Sequence, residues 1–116
     1  MATSDKSRVA FGQRGERLAK RHYESAGYVV VDPDWRVRGG ELDLGMTRGD
    51  EIVFCEVKTQ SSGRFGSGFD AIDEQKQRFL RRTAMSWLDA LGRCGRLRFD
   101  VATVTGSQIE IIEAAF

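Results

Sequence analysis

The chain lacks much of what several functional classes require. In 116 residues it has one proline, Pro33, one histidine, His22, and two cysteines, Cys55 and Cys94. The cysteines form no CxxC and no zinc-ligand spacing, and one histidine makes no zinc site without cysteine or acidic partners. A disulfide is not expected in a reducing compartment, so Cys55 reads as a small buried hydrophobe and His22 as surface or packing. No apolar run approaches the ~20 residues of a membrane span. The start, Met1-Ala2-Thr3-Ser4-Asp5-Lys6-Ser7, is polar and has no apolar signal region, so a cytoplasmic location is expected. GxSxG, P-loop and GxGxxG patterns are all missing. The formal charge of +1 argues neither for nor against nucleic acid.

What is present describes an ordinary globular domain, 41% hydrophobic and 30% charged. A chain of this length builds one domain and buries about two-thirds of its unfolded surface. The expected division is a flexible N-terminal segment over 1–10 and a single domain over 11–116. Charge is unevenly distributed. Lys6, Arg8, Arg14, Arg17, Lys20 and Arg21 outnumber Asp5 and Glu16 in the first 22 residues, and Lys76, Arg78, Arg81 and Arg82 form a second basic cluster. The acids concentrate between Asp32 and Glu56. The pattern fits two solvated helix faces or two basic helices flanking an acidic middle.

Periodicity predicts a helix over 8–26, with Phe11, Leu18, Ala19, Tyr23 and Ala26 near one face and Gly27 as its stop. Gly12 and Gly15 should weaken its first turns, so the regular part is expected nearer Gln13. Tyr28–Val31 reads as a strand broken by Asp32-Pro33-Asp34, with extended chain resuming at Trp35-Arg36-Val37. Glu41–Thr47 and Glu51–Thr59 read as strands joined by a hairpin at Arg48-Gly49-Asp50. A polar loop follows over 60–68. A second helix, capped by Asp70 or Asp73, runs to about Leu91 with Ile72, Phe79, Leu80, Ala84, Trp87 and Leu88 inward. Strands over Leu97–Val104 and Gln108–Glu113 complete the order α-β-β-β-α-β-β, an α/β or α+β sandwich around a mixed sheet.

One constellation carries chemistry: Glu41-x-Asp43, then Glu56-Val57-Lys58. Strand alternation places Glu56 and Lys58 on the face of Ile52 and Phe54, where a charge costs several kcal/mol unless paired or metal-bound. Phosphodiester hydrolysis needs an activated water, charge stabilisation and help for the leaving oxygen. Mg²⁺ can serve all three and needs only one or two carboxylates. Asp43 and Glu56 would supply them, with the Val57 carbonyl as a further ligand. Lys58 would orient or deprotonate the water, and the basic helices would hold a nucleic-acid backbone. The plain alternatives are a same-face Glu56–Lys58 ion pair on an exposed edge, and solvent-facing acids at positions 41 and 43.

Glu-x-Asp followed by Glu-x-Lys resembles the PD-(D/E)xK nuclease superfamily, which includes restriction enzymes and Holliday-junction resolvases. The closer resemblance is to the YraN-like family of small bacterial proteins. It rests on Gly15-Glu16, Trp35-Arg36, Gly40-Glu41-Leu42-Asp43-Leu44, Val53-Phe54-Cys55-Glu56-Val57-Lys58-Thr59, Arg64-Phe65-Gly66, Lys76 with Arg78, Arg98-Phe99-Asp100-Val101 and Ala115-Phe116. It spans about residues 11–116. It implies a restriction endonuclease-like α/β core, a mixed β-sheet flanked by helices. Asp43, Glu56 and Lys58 would form the site, and Glu16 would be added from the first helix. Glu41 is a further candidate acid. Arg14, Arg64 and Lys76 are the expected nucleic-acid contacts. Two positions depart from the pattern: Leu42 replaces the proline before Asp43, and Gln60 stands where a basic residue is commoner. The implied activity is a Mg²⁺- or Mn²⁺-dependent endonuclease on structured or branched DNA, with DNA expected before RNA and a homodimer pairing two sites. The alternative is a non-catalytic nucleic-acid-binding module on the same fold.

Overall fold

The computed structural model describes residues 2–31, 36–37, 40–41, 43–60 and 72–116, and side chains over 14–31, 43–60 and 72–116. Within these, helix α1 (Ala2–Ser25) leads into strands β1 (Val29–Val30), β2 (Arg36–Val37), β3 (Gly40–Glu41), β4 (Leu44–Arg48) and β5 (Glu51–Gln60). Helix α2 (Glu74–Leu91) and strands β6 (Arg96–Thr105) and β7 (Gln108–Ile112) follow. Five strands make one mixed sheet in the order β1-β4-β5-β6-β7, and β2 pairs with β3 separately. The large sheet and two helices keep the expected order α-β-β-β-α-β-β. The architecture is α/β and consistent with a restriction endonuclease-like core. Among the described residues no helix is long and apolar enough to cross a membrane.

Local chemistry sets the element ends. α1 stops where Gly27 takes φ +92, and the amides of Gly27 and Tyr28 bond back to the carbonyls of Glu24 and Tyr23. Asp73 caps α2 by accepting from the Lys76 amide at 2.8 Å, and Gly92 closes the helix in the left-handed region. Gly49, at φ +62, makes the turn that pairs β4 antiparallel to β5. β5 and β6 pair in parallel over ten residues, with α2 as the crossover between them.

The sheet is buried on both sides. Against α1 pack Leu44, Met46, Val53, Cys55 and Ala102 with Ala19 and Tyr23. Against α2 pack Ile52, Phe54 and Phe99 with Leu80, Ala84, Trp87 and Leu88. Burying both faces explains why β4 reads Leu-Gly-Met without alternation. Gly45 is there because the Trp87 ring lies over it: a Cβ would sit 3.1 Å from Cζ2.

Three expectations need correction. α1 runs from Ala2, not from residue 8 or Gln13, and Gly15 within it has a packing reason: its added Cβ would meet Thr59 Oγ1. Glu41 and Asp43 do not share a strand. β3 ends at Glu41 and β4 begins at Leu44, because the Asp43 carboxylate takes a backbone amide of β5 and its own residue bends out of the ladder. The loop assigned to 60–68 starts later, as Gln60 is the last residue of β5. The rest of that loop, Arg64 and Phe65 within it, Asp70, Asp32-Pro33-Asp34, Trp35, Leu42 and the Glu41 side chain lie outside the described residues.

Candidate functional site

β5 presents Glu56 and Lys58 on the face covered by α2, beyond the apolar pair Ile52 and Phe54. Leu44 pairs with Cys55, so Asp43 stands beside Glu56 where β4 begins. The amide of Val57 donates to Asp43 Oδ2 at 2.8 Å. An extended residue that bonds an antiparallel neighbour sends its N–H and C=O to the same edge. The Val57 carbonyl therefore leaves β5 on the Asp43 side.

The Asp43 and Glu56 carboxyls are neighbours, close enough that each feels the other's charge. A cavity of about 10 Å³, room for about one water, lies between them and Phe54, Leu80, Phe99 and Phe116. Burial, then the charge of Asp43 and the bond to it, push the Glu56 carboxyl from 4.5 up to about 8, while Lys76 and Lys58 pull it down. Glu56 is only 16% exposed, and Lys76 Nζ approaches its Oε2 at 4.0 Å. Burial and the Asp43 charge therefore favour the protonated form of Glu56, and positive charge placed at the pair would relieve the repulsion.

α1 approaches this end of β5 from the opposite face. Gly15 packs on Thr59 and Val57, so the backbone at Glu16 lies at the same end of β5 as Lys58. Glu16 is partly buried and Arg14 is exposed one turn-position before it. Glu41 is placed only as backbone, paired with Arg36 in the small ladder. Arg64 lies outside the described residues. Among the described residues no three His, Cys, Asp or Glu side chains gather as a metal-binding group. Among the described residues the site is an acid pair with lysines.

Lys76, one of the expected nucleic-acid contacts, is carried by α2 to 4.0 Å from Glu56 Oε2. Two further contributors were not assigned from sequence. Thr103 pairs with Lys58 across β5 and β6, and its buried hydroxyl has no partner among the described residues. Asp100 is fully buried on the α1 face. It accepts from Tyr23 Oη at 2.7 Å, from Arg98 Nε and Nη2 at 2.9 Å each, and from the Ala114 amide at 3.0 Å. Arg98 continues to Glu51 at 3.1 Å, which also accepts from Tyr28 Oη. This network ties α1, β5, β6 and the C-terminal segment together. An acid inside the apolar run Phe99-Asp100-Val101 was its signal, the same one that marked Glu56. Burial pushes the Cys55 thiol well above its ordinary range, so it is packing and not a nucleophile.

Curated relatives share most of the chain. The UPF0102 protein of Frankia alni is 42% identical over 101 residues, covering 86% of this chain and 84% of that protein. That of Rhodococcus jostii is 42% identical over 114 residues, 93% of this chain and 97% of the relative. The Geobacter metallireducens protein is 40% identical over 114 residues, 92% of each. The family profile described as "Uncharacterised protein family UPF0102" matches residues 15–104, from the glycine of α1 that packs on Thr59 to β6. The chain therefore belongs to the UPF0102 family, the YraN-like family that its motifs resemble.

Proposed function

We propose that this chain is a metal-dependent endonuclease hydrolysing phosphodiester bonds in structured or branched DNA. One observation carries the proposal: a half-buried Asp43–Glu56 carboxyl pair stands toward the end of β5, with Lys58 on the same face and Lys76 at 4.0 Å. A purely structural strand has no use for two acids that repel each other out of water. The donor set suits Mg²⁺ or Mn²⁺: hard carboxylate oxygens of Asp43 and Glu56, and the Val57 carbonyl on the same edge. Such an ion, when bound, would supply charge neutralisation of the phosphate and a more acidic water.

The protein's own residues do the rest. Asp43 is oriented by the Val57 amide, so one oxygen is fixed and its carboxylate cannot swing away. Lys58 holds or deprotonates the attacking water and stabilises charge on the phosphate. Lys76, released from Glu56, faces the substrate backbone. Exposed Arg14, Arg17 and Arg21 on α1, and Arg78, Arg81 and Arg82 on α2, give sequence-independent phosphate contacts on both sides of the sheet. The PD-(D/E)xK relationship, a cytoplasmic location and a homodimer that pairs two sites across the substrate belong to the same proposal.

The test is cleavage of end-labelled duplex, forked and four-way DNA with Mg²⁺ or Mn²⁺, beside Lys58→Ala. Products from wild type, reduced about 10²-fold or more in the variant, are expected. Equal cleavage by both proteins would refute the assignment. The exposed arginines also suit a second reading, a binding module that retains DNA and releases no products.

A further inference from the structure

The sheet surface continues from the acid pair into a groove of about 280 Å³. Val101 and Ile112 form its floor, with Phe116, Ile72, Gln77 and Ala115 around them. Phe116 also lines the cavity at Asp43 and Glu56, so its ring is the partition between the two spaces. Strand register fixes the offset. Glu56 pairs with Val101, and Val101 with Ile112, so all three occupy one row across the sheet. At ~4.8 Å between strands, the groove floor begins roughly 5 Å from the Glu56 position and extends to roughly 10 Å.

The chemistry of the walls narrows the occupant. Among the described residues no charged side chain lines the groove. The cations stand outside it: Lys76 is at Glu56, and the Arg81 guanidinium lies 5.5 Å from the Phe116 ring and 4.8 Å from Phe99. A phosphate therefore belongs at the lysines, and a neutral, flat group belongs in the groove. The aromatic wall is firmly held. Phe116 stacks on Phe99 with centroids 5.1 Å apart and planes at 29°, and the Ala115 amide bonds the Phe99 carbonyl at 2.7 Å. Gln77 adds one amide, anchored by its Nε2 donating to the Ile72 carbonyl at 3.1 Å.

We infer that this groove receives one nucleobase, turned out of its stack, from the strand whose phosphate lies at Asp43, Glu56 and Lys58. The inference rests on the proposed function and goes beyond it, because it names an unpaired base as what the protein reads. The offset along the row suits a base and its own backbone phosphate. Bases turned out of a duplex are held in this way between aromatic and apolar side chains, with a few polar groups reading their edges.

The test is anisotropy binding of the full chain, at low salt with chelator present to prevent cleavage, to three duplexes. One carries a single unpaired adenine, one an abasic residue at that place, and one is fully paired. Wild type is expected to bind the unpaired-base duplex about tenfold tighter than the abasic one, the scale of a single base stacked on an aromatic ring. Ala115→Trp fills the groove from its exposed side and should erase that preference while affinity for the paired duplex stays within twofold. Phe116→Leu, which keeps the fold's apolar volume, should reduce the preference even if the tryptophan variant does not fold. Equal wild-type affinity for unpaired-base and abasic duplexes overturns the groove assignment and leaves the phosphate site standing. Absence of salt-sensitive binding to all three overturns both.

Discussion

Replacing Glu56 by Gln removes one ionisation and keeps the shape of the acid pair. In the folded protein this carboxyl titrates at about 8, against 4.5 when unfolded. Between those values the folded state binds more protons than the unfolded one. Stability must then fall as pH rises, level below about 4.5 and level again above about 8. At about 1.4 kcal/mol per decade the whole gap sets a ceiling of about 5 kcal/mol. Glu56 keeps some contact with solvent, and its neighbours can rearrange, so a loss of about 2–3 kcal/mol is expected across the window. Urea denaturation of wild type and Glu56→Gln, with chelator present, from pH 5 to 9 measures it directly. The difference between the two curves reports the titration of Glu56 together with its partner Asp43. It should grow in favour of the variant as pH rises and reach its full value near pH 8–9. Parallel curves would refute the buried-pair reasoning, since a solvated Glu56 would titrate alike in both states.

Further expectations follow from the same geometry. Asp100→Ala leaves Arg98 without its main acceptor and should cost about 3–5 kcal/mol in chemical denaturation, whereas Tyr23→Phe removes one bond to the same carboxylate and should cost about 1–2. Gly15→Ala would ordinarily stabilise a helix by about 1 kcal/mol, but its Cβ would lie 2.1 Å from Thr59 Oγ1; a net loss of about 1–2 kcal/mol is expected, recovered by adding Thr59→Ala. Asp73→Ala should lower stability by about 1 kcal/mol and, by loosening the first turn of α2, weaken the Lys76 contact with Glu56, visible as a changed pH profile.

Much of this arrangement was legible in the chain. β5 declared itself by composition, and the misplaced charges at Glu56 and Lys58 pointed to the site through the cost of burying them. Gly27, Asp73 and Gly92 marked element ends because their backbone chemistry is local. What stayed hidden depends on distant partners. The parallel pairing of β5 with β6 leaves no trace in either strand. Asp43 looked like a strand residue because its alternation is right, yet it lies just before β4, its carboxylate taken by the Val57 amide. Gly15 looked like a helix weakness, yet it is the point where α1 touches β5. Ala115-Phe116 was legible only as part of the family pattern, which says nothing of position; its place beside the acid pair comes from Phe99 and Asp100.

The bond from the Val57 amide to Asp43 makes the hairpin at Gly49 a ruler. The turn is exposed and lies roughly 20 Å along β5 from Glu56, at ~3.3 Å for each residue. Its length nevertheless counts out which residue of β4 arrives beside Glu56. A slip of one position would present Leu44 or Leu42 in place of Asp43 and turn every β4 side chain to the wrong face. A substitution at the turn that keeps Gly49 in its left-handed conformation should therefore spare the site, while a single inserted or deleted residue there should disable a site it never touches.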